Sequence, residues 1–163
     1  VRILAALAVF GGGVAQGPLA ALLRVGDVVP DIPLVVVAML ALRRGPEFGC
    51  AAGFLAGLLQ DVTSGGLLGV QALTKALAGF AIGASGARLS VTSPLVQVPG
   101  LVVLTVAEGL ARFAILQMFR FPVPLAELMA YQVLPQALYN GALGAIVVLT
   151  LAMTDYLRPG RIS

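Results

Sequence analysis

The sequence predicts an all-α integral membrane bundle of six transmembrane helices with both termini cytoplasmic. Three observations carry this reading. The 163 residues are 60% hydrophobic and only 10% charged, where an average soluble domain is about a quarter charged. Mean hydropathy is +1.04. The basic residues gather at the ends of apolar runs, where they orient a membrane protein, and form no basic patch, so the +3 net charge does not point to nucleic acid as a partner. A span needs roughly 20 apolar residues, so a chain of this length holds at most about six or seven, which makes 1–163 a single transmembrane domain.

Apolar runs between charges and Pro/Gly breaks place helices near 3–23, 29–42, 47–62, 67–87, 94–118 and 125–155. The first run begins after Arg2 and has the outline of a secretory signal, but it continues apolar to Leu23 and reads better as a span. The second and third are short. As a re-entrant hairpin they would bury Arg43, Arg44 and Glu47 in hydrocarbon at a cost of several kcal/mol, so both are expected to cross. The fifth and sixth exceed the membrane thickness and are expected to tilt, and Pro135 should kink the sixth. With the N-terminus inside, Arg2, Arg43, Arg44, Arg88, Arg158 and Arg161 fall in the cytoplasm and Arg24 and Arg120 outside, which is the favoured orientation.

Several chemistries are disfavoured at once. There is no histidine and one cysteine, Cys50, in an apolar run, so neither an intrachain disulfide nor a His/Cys metal site can form, and no cofactor is expected. "GASG" at 83–86 has the Gly-x-Ser-Gly outline of a rhomboid nucleophile, yet Ser85 has no histidine to activate it, and Lys75, the only lysine, lies two to three turns away. Ser85 reads as a helix-end residue.

Two patterns are more informative. Gly49, Gly53 and Gly57 recur every four residues with Ala52 and Ala56 beside them, a smooth face for close helix contact that serves either internal packing or a partner's helix. Gly13 with Gly17, and Gly79 with Gly83, repeat the spacing. The second pattern is polar. Gln71 and Lys75 share a face of the fourth helix, Glu108 and Arg112 form an i, i+4 pair with Thr105 nearby, and Gln132, Gln136 and Asn140 make a stripe on the sixth. At about 1.5 Å per residue, Lys75, Glu108, Arg112, Gln132 and Gln136 fall roughly 10–16 Å below the outer ends of their helices. One layer of the outer half-membrane should therefore bring these helices face to face, either as an internal lock in which Glu108 neutralises Arg112 or Lys75, or as a polar pocket open to the outside.

"GLLQDVTSGGLLG" at 57–69 joins the third and fourth helices. Thr63 and Ser64 can take up free backbone groups, and Gly65 and Gly66 permit a tight reversal. Any polar residue could face water at position 61, which leaves Lys75 or a partner as candidate contacts for Asp61.

Three stretches carry a family resemblance: "PDIPLVVVAMLALRRG" from Pro30, "GFLAGLLQDVTSGGLLGVQAL" from Gly53 and "LPQALYNGALGAIV" from Leu134. In order and distance they resemble the rod shape-determining protein MreD. Gly57, Asp61, Gly66 and Gly69 stand where that family's Gly-Leu-x-x-Asp-x-x-Ser-Gly-x-x-Gly pattern would put them, and Pro135, Tyr139 and Asn140 fit its last-helix motif. Aromatic residues typical of the family's second helix are absent, and Lys75 matches no family motif. The resemblance implies a non-enzymatic, multi-pass scaffold of the bacterial inner membrane that binds MreC, and through it MreB, the RodA glycosyltransferase and the elongation-specific class B penicillin-binding protein. It also implies a fold like the S components of energy-coupling-factor vitamin transporters, so the alternative function is a small-molecule-binding transporter subunit. A third possibility is that Lys75 and Arg112 meet the phosphate of a membrane lipid or lipid-linked precursor.

Overall fold

The computed structural model describes residues 28–65, 67–88, 94–122 and 124–156, together with Gly11, Leu22 and Arg24. The predicted first helix, 3–23, otherwise lies outside the described residues, as does Gly66. The remaining predicted helices appear within a few residues of their expected bounds: α1 (Ile32–Arg44), α2 (Pro46–Ser64), α3 (Val70–Arg88), α4 (Pro94–Met118), and a last rod made of α5 (Leu125–Leu128), a π-helical turn (Met129–Val133) and α6 (Leu134–Tyr156).

Helix α1 sits at the centre, packed against α2, α3, α4 and α6. Its Leu34, Val35, Val37, Ala38 and Ala41 are all buried. One cluster joins Leu34, Val35 and Ala38 to Ala78, Leu101 and Leu104, and a second joins Val37 to Ala52 and Ala56. Asp31 caps α1, its Oδ1 accepting from the Leu34 N–H at 3.0 Å, and Pro33 stands in the first turn, where a missing N–H has no intrahelical partner to lose. Only Gly45 separates α1 from α2; its φ of 90° and ψ of 179° suit glycine, and Pro46 starts the next helix.

With 13 residues, α1 is about 20 Å long, less than the ~30 Å of hydrocarbon and about as short as its predicted run, 29–42. Enclosed by other helices, it need not face lipid along a full membrane thickness. Among the described residues, Val98–Met118 and Leu125–Thr150 are long and apolar enough to cross a membrane.

The α2–α3 hairpin is closed by glycine. A Cβ on Gly49 would strike the backbone of Gly79, one on Gly53 the backbone of Lys75, and one on Gly57 the backbone of Gln71. Each step of four up α2 meets a step of four down α3, the antiparallel register of two smooth faces in backbone contact. Gly83 extends the seam to the backbone of Gly45 and Pro46. Of the two uses open to Gly49, Gly53 and Gly57, internal packing is the one seen: α3 of the same chain fills the groove in which a partner's helix would dock.

Asp61 turns to backbone N–H groups and not to Lys75, one of the contacts expected for it. It is buried, with Oδ2 accepting from the N–H groups of Gly69 at 2.8 Å and Ala72 at 3.1 Å, and Oδ1 from that of Gln71 at 3.1 Å. Its carboxylate is thus the cap of α3, meeting the unpaired N–H groups and positive dipole end of that helix from the last turn of α2. Gly65 in the left-handed region and Gly69 at φ 98° make the reversal that lets it reach. Thr63 and Ser64 return their hydroxyls to carbonyls of α2, as expected. Only an acceptor with two oxygens holds three converging donors, which is why this position carries an aspartate.

Pro135 disturbs its helix as anticipated, and the disturbance takes the form of the π turn immediately before it, where the Leu134 N–H reaches back five residues to the Met129 carbonyl. The turn brings Val133 against Gly109 of α4, while Gly141 and Gly144 admit Val102 and Leu101.

Two predictions follow from the hairpin. Asp61→Ala should cost about 2–4 kcal/mol by orphaning buried donors, with Asp61→Asn losing less, as read by unfolding in detergent micelles. Gly53→Ala should cost about 2 kcal/mol or more because backbone cannot yield, whereas Gly100→Ala, which meets nothing within 4 Å, should be neutral or slightly stabilising in the same assay.

Candidate functional site

The predicted polar layer exists, and it divides into a closed half and an open half. At the centre of the closed half is Lys75 on α3, 0% exposed. Its ammonium lies 2.6 Å from Asp31 Oδ2 and 3.7 Å from Glu108 Oε1, and it donates to Gln71 Oε1 at 2.8 Å. Three donors on one nitrogen thus face three side-chain acceptors. An ammonium this deep would be costly unpaired, and it is paired by groups from three helix termini or faces.

The acceptors are themselves held. Asn140 on α6 accepts the Asp31 backbone N–H at 2.9 Å and donates to Thr105 Oγ1 at 3.2 Å, and Thr105 passes its hydroxyl proton to the Leu101 carbonyl at 2.8 Å. One turn earlier, Gln136 Nε2 donates to the Val29 carbonyl at 2.9 Å. Two amides of the last helix therefore clip the segment ahead of α1, from more than 100 residues away in sequence, and so aim Asp31 at Lys75. Pro30, between the two clipped residues, is buried, and Tyr139 and Pro135 are half-buried on the same helix. Thr74 Oγ1 lies 3.0 Å from Glu108 Oε1, fixing the second carboxylate.

Glu108 thus turns to Lys75 and Thr74, and no ion pair links it to Arg112; of the two partners expected for it, only the lysine is used. Its Oε2 is buried without a hydrogen-bond partner. Arg112 faces the open half instead. With Val28, Val29, Gln132 and Gln136 it lines a cavity of about 170 Å³, and its buried Nε has no hydrogen-bond partner. Gln132 is exposed at the rim. The cavity lies at the end of the bundle where α1 and α3 begin and α2 and α4 finish. Ser85, by contrast, is exposed, its hydroxyl donating to the Ala81 carbonyl of its own helix at 2.8 Å, and Lys75 is committed elsewhere.

Two participants escaped sequence reasoning. Asp31 lies inside a quoted motif, and its position before Ile32-Pro33 announces a cap, but nothing local shows that its second oxygen reaches Lys75. Thr74 sits next to Lys75 and is silent in the apolar pattern.

Outside this interior the described surface is apolar: Phe54, Leu55 and Val62 on α2, Leu77 and Phe80 on α3, Val103 on α4, and Leu138 and Leu149 on α6 are exposed, while Asp31, Asp61, Lys75, Glu108 and Asn140 are buried. This inversion suits a hydrocarbon solvent. The family model of the rod shape-determining protein MreD matches residues 7–159. The chain belongs to the MreD family. It is accordingly a rod shape-determining membrane protein, and the matched span takes in every stretch that carried the resemblance. Comparison with curated proteins and with solved structures gave no match.

Membership sharpens the reading of the motifs. Asp61 and Gly69 of the glycine-aspartate motif build the cap of α3, and Asn140 of the last-helix motif holds Asp31, so these MreD signature positions act here as architecture. Lys75→Met should destabilise the protein by about 3–5 kcal/mol, because two carboxylates are left facing one another in a buried site. In the Lys75→Met/Asp31→Asn double variant, where the amide still caps α1, part of that loss should return, as read by a double-mutant cycle of unfolding in micelles.

Proposed function

We propose that this chain is a non-enzymatic, multi-pass scaffold of the bacterial inner membrane, with both termini cytoplasmic, that binds MreC and through it MreB, RodA and the elongation-specific class B penicillin-binding protein. The observation that carries the proposal is the MreD family match over residues 7–159. The interior agrees with a structural role: Asp31, Lys75 and Glu108 are spent on one another and Asp61 on a helix cap, so these charged groups hold helices together. The arginines at segment ends support the orientation. Since α3 fills the glycine face of α2, MreC would meet one of the exposed apolar faces.

The transporter-subunit alternative has less support. Pockets for drug-sized ligands run to about 300–1,000 Å³, and this cavity holds about 170 Å³ with no aromatic among the described residues of its lining. Tyr131, which could stack on a planar ligand, is exposed outside it.

Gentle solubilisation of native membranes containing the C-terminally tagged chain, with mass spectrometry of what co-purifies, should recover MreC together with the cell-wall polymerases. Recovery of a transport ATPase in their place would overturn the scaffold reading.

A further inference from the structure

We infer that Arg112, Gln132 and Gln136 form a binding site for a phosphate group, set at head-group depth in the membrane. Arg112 is the starting point. Its natural intrahelical partner, Glu108, is turned away to Lys75 and Thr74, and its Nε is buried with no hydrogen-bond partner. A guanidinium left without an anion inside a membrane-crossing helix costs several kcal/mol, so the site is built to receive one.

Depth and size choose the ligand. Arg112 lies about 9 Å before the end of α4, a helix of 25 residues and about 37 Å that overshoots the ~30 Å of hydrocarbon at its ends. Its guanidinium therefore works close to the boundary where lipid phosphates lie, within the reach of a long side chain. The cavity of about 170 Å³ exceeds several waters at ~30 Å³ each and falls short of a vitamin. Around it the donors suit a group with several oxygens: the guanidinium fork, the exposed carboxamide of Gln132, and Gln136, whose Nε2 is steadied on the Val29 carbonyl. Val28 and Val29 supply an apolar wall compatible with a glycerol or acyl stem. Glu108 is not part of the lining, and among the described residues no carboxylate opposes the anion there.

The test uses the delipidated full chain in detergent, titrated with dioleoylphosphatidylglycerol or with dioleoylglycerol, which has the same acyl chains and no phosphate, and read by native mass spectrometry. One phosphatidylglycerol should be retained and the diglyceride should not. Arg112→Gln should weaken retention about tenfold or more, Arg112→Lys less, and Gln132→Leu a few-fold. Inorganic phosphate at millimolar concentration that displaces the lipid would identify free phosphate as an occupant, and failure to displace it would assign the site to lipid-borne phosphate; both uphold the site. Equal retention of phosphatidylglycerol by Arg112→Gln and the unaltered chain, or equal retention of the diglyceride, would overturn it, the latter by showing that the acyl chains and not the phosphate are recognised. If Arg112→Gln does not fold, Gln132→Leu, altered at an exposed side chain, decides alone: retention equal to that of the unaltered chain overturns the site.

Discussion

The bundle depends on one buried ammonium. Lys75 is withdrawn completely from solvent, so its charge must be met within the protein, and the groups that meet it come from the start of α1, from α4 and from its own helix. Each of those groups has been fixed in turn: Asp31 by its capping bond and by Asn140, Glu108 by Thr74. A set of polar groups this connected is costly to leave half made, so the helices have one arrangement in which all of it closes. In hydrocarbon, where apolar contact distinguishes poorly between one helix face and another, such a network is what selects the arrangement.

The glycine seam and the network are two sides of the same residue. Gly53 lets α2 rest directly on the backbone of Lys75, while the side chain of Lys75 leaves in another direction toward Asp31. The α2–α3 hairpin is therefore rigid where the ammonium is rooted, and Asp61 tightens it further by capping α3 at Gln71, whose side chain accepts from Lys75 one turn on. A motif that looks like a docking face in isolation is the foundation under the charge.

Much of this was legible in the sequence, up to a definite physical boundary. Helix existence, the hairpin at 57–69 and the shared layer of Lys75, Glu108, Gln132 and Gln136 follow from periodicity and rise per residue, which say what face and what depth a residue occupies. They do not say which of two opposite charges it will choose. Glu108 is one turn from Arg112 along the helix, yet it turns across the bundle to Lys75, a choice made by burial of the lysine. Asp31 and Asn140 are 109 residues apart, and neither carries a local sign of the other. Asp61 defeated local reasoning for a related reason: the contacts of a turn aspartate depend on the direction of the following helix.

The division of the polar layer follows from the same economy. Asp31 and Glu108 present two carboxylates to one lysine, and once both are directed to Lys75 neither of them remains for Arg112. Had Glu108 paired with Arg112, Lys75 would have kept a single carboxylate and the open half of the layer would have closed. The structure instead places the surplus negative charge with the cation that water cannot reach, and leaves the cation at the rim, beside Gln132 and Gln136, to be met from outside. A lysine deep in the bundle can be neutralised only by the chain itself, whereas an arginine near the end of a helix can draw on whatever the membrane surface offers. The closed lock and the open pocket are thus one allocation of charge, made by depth.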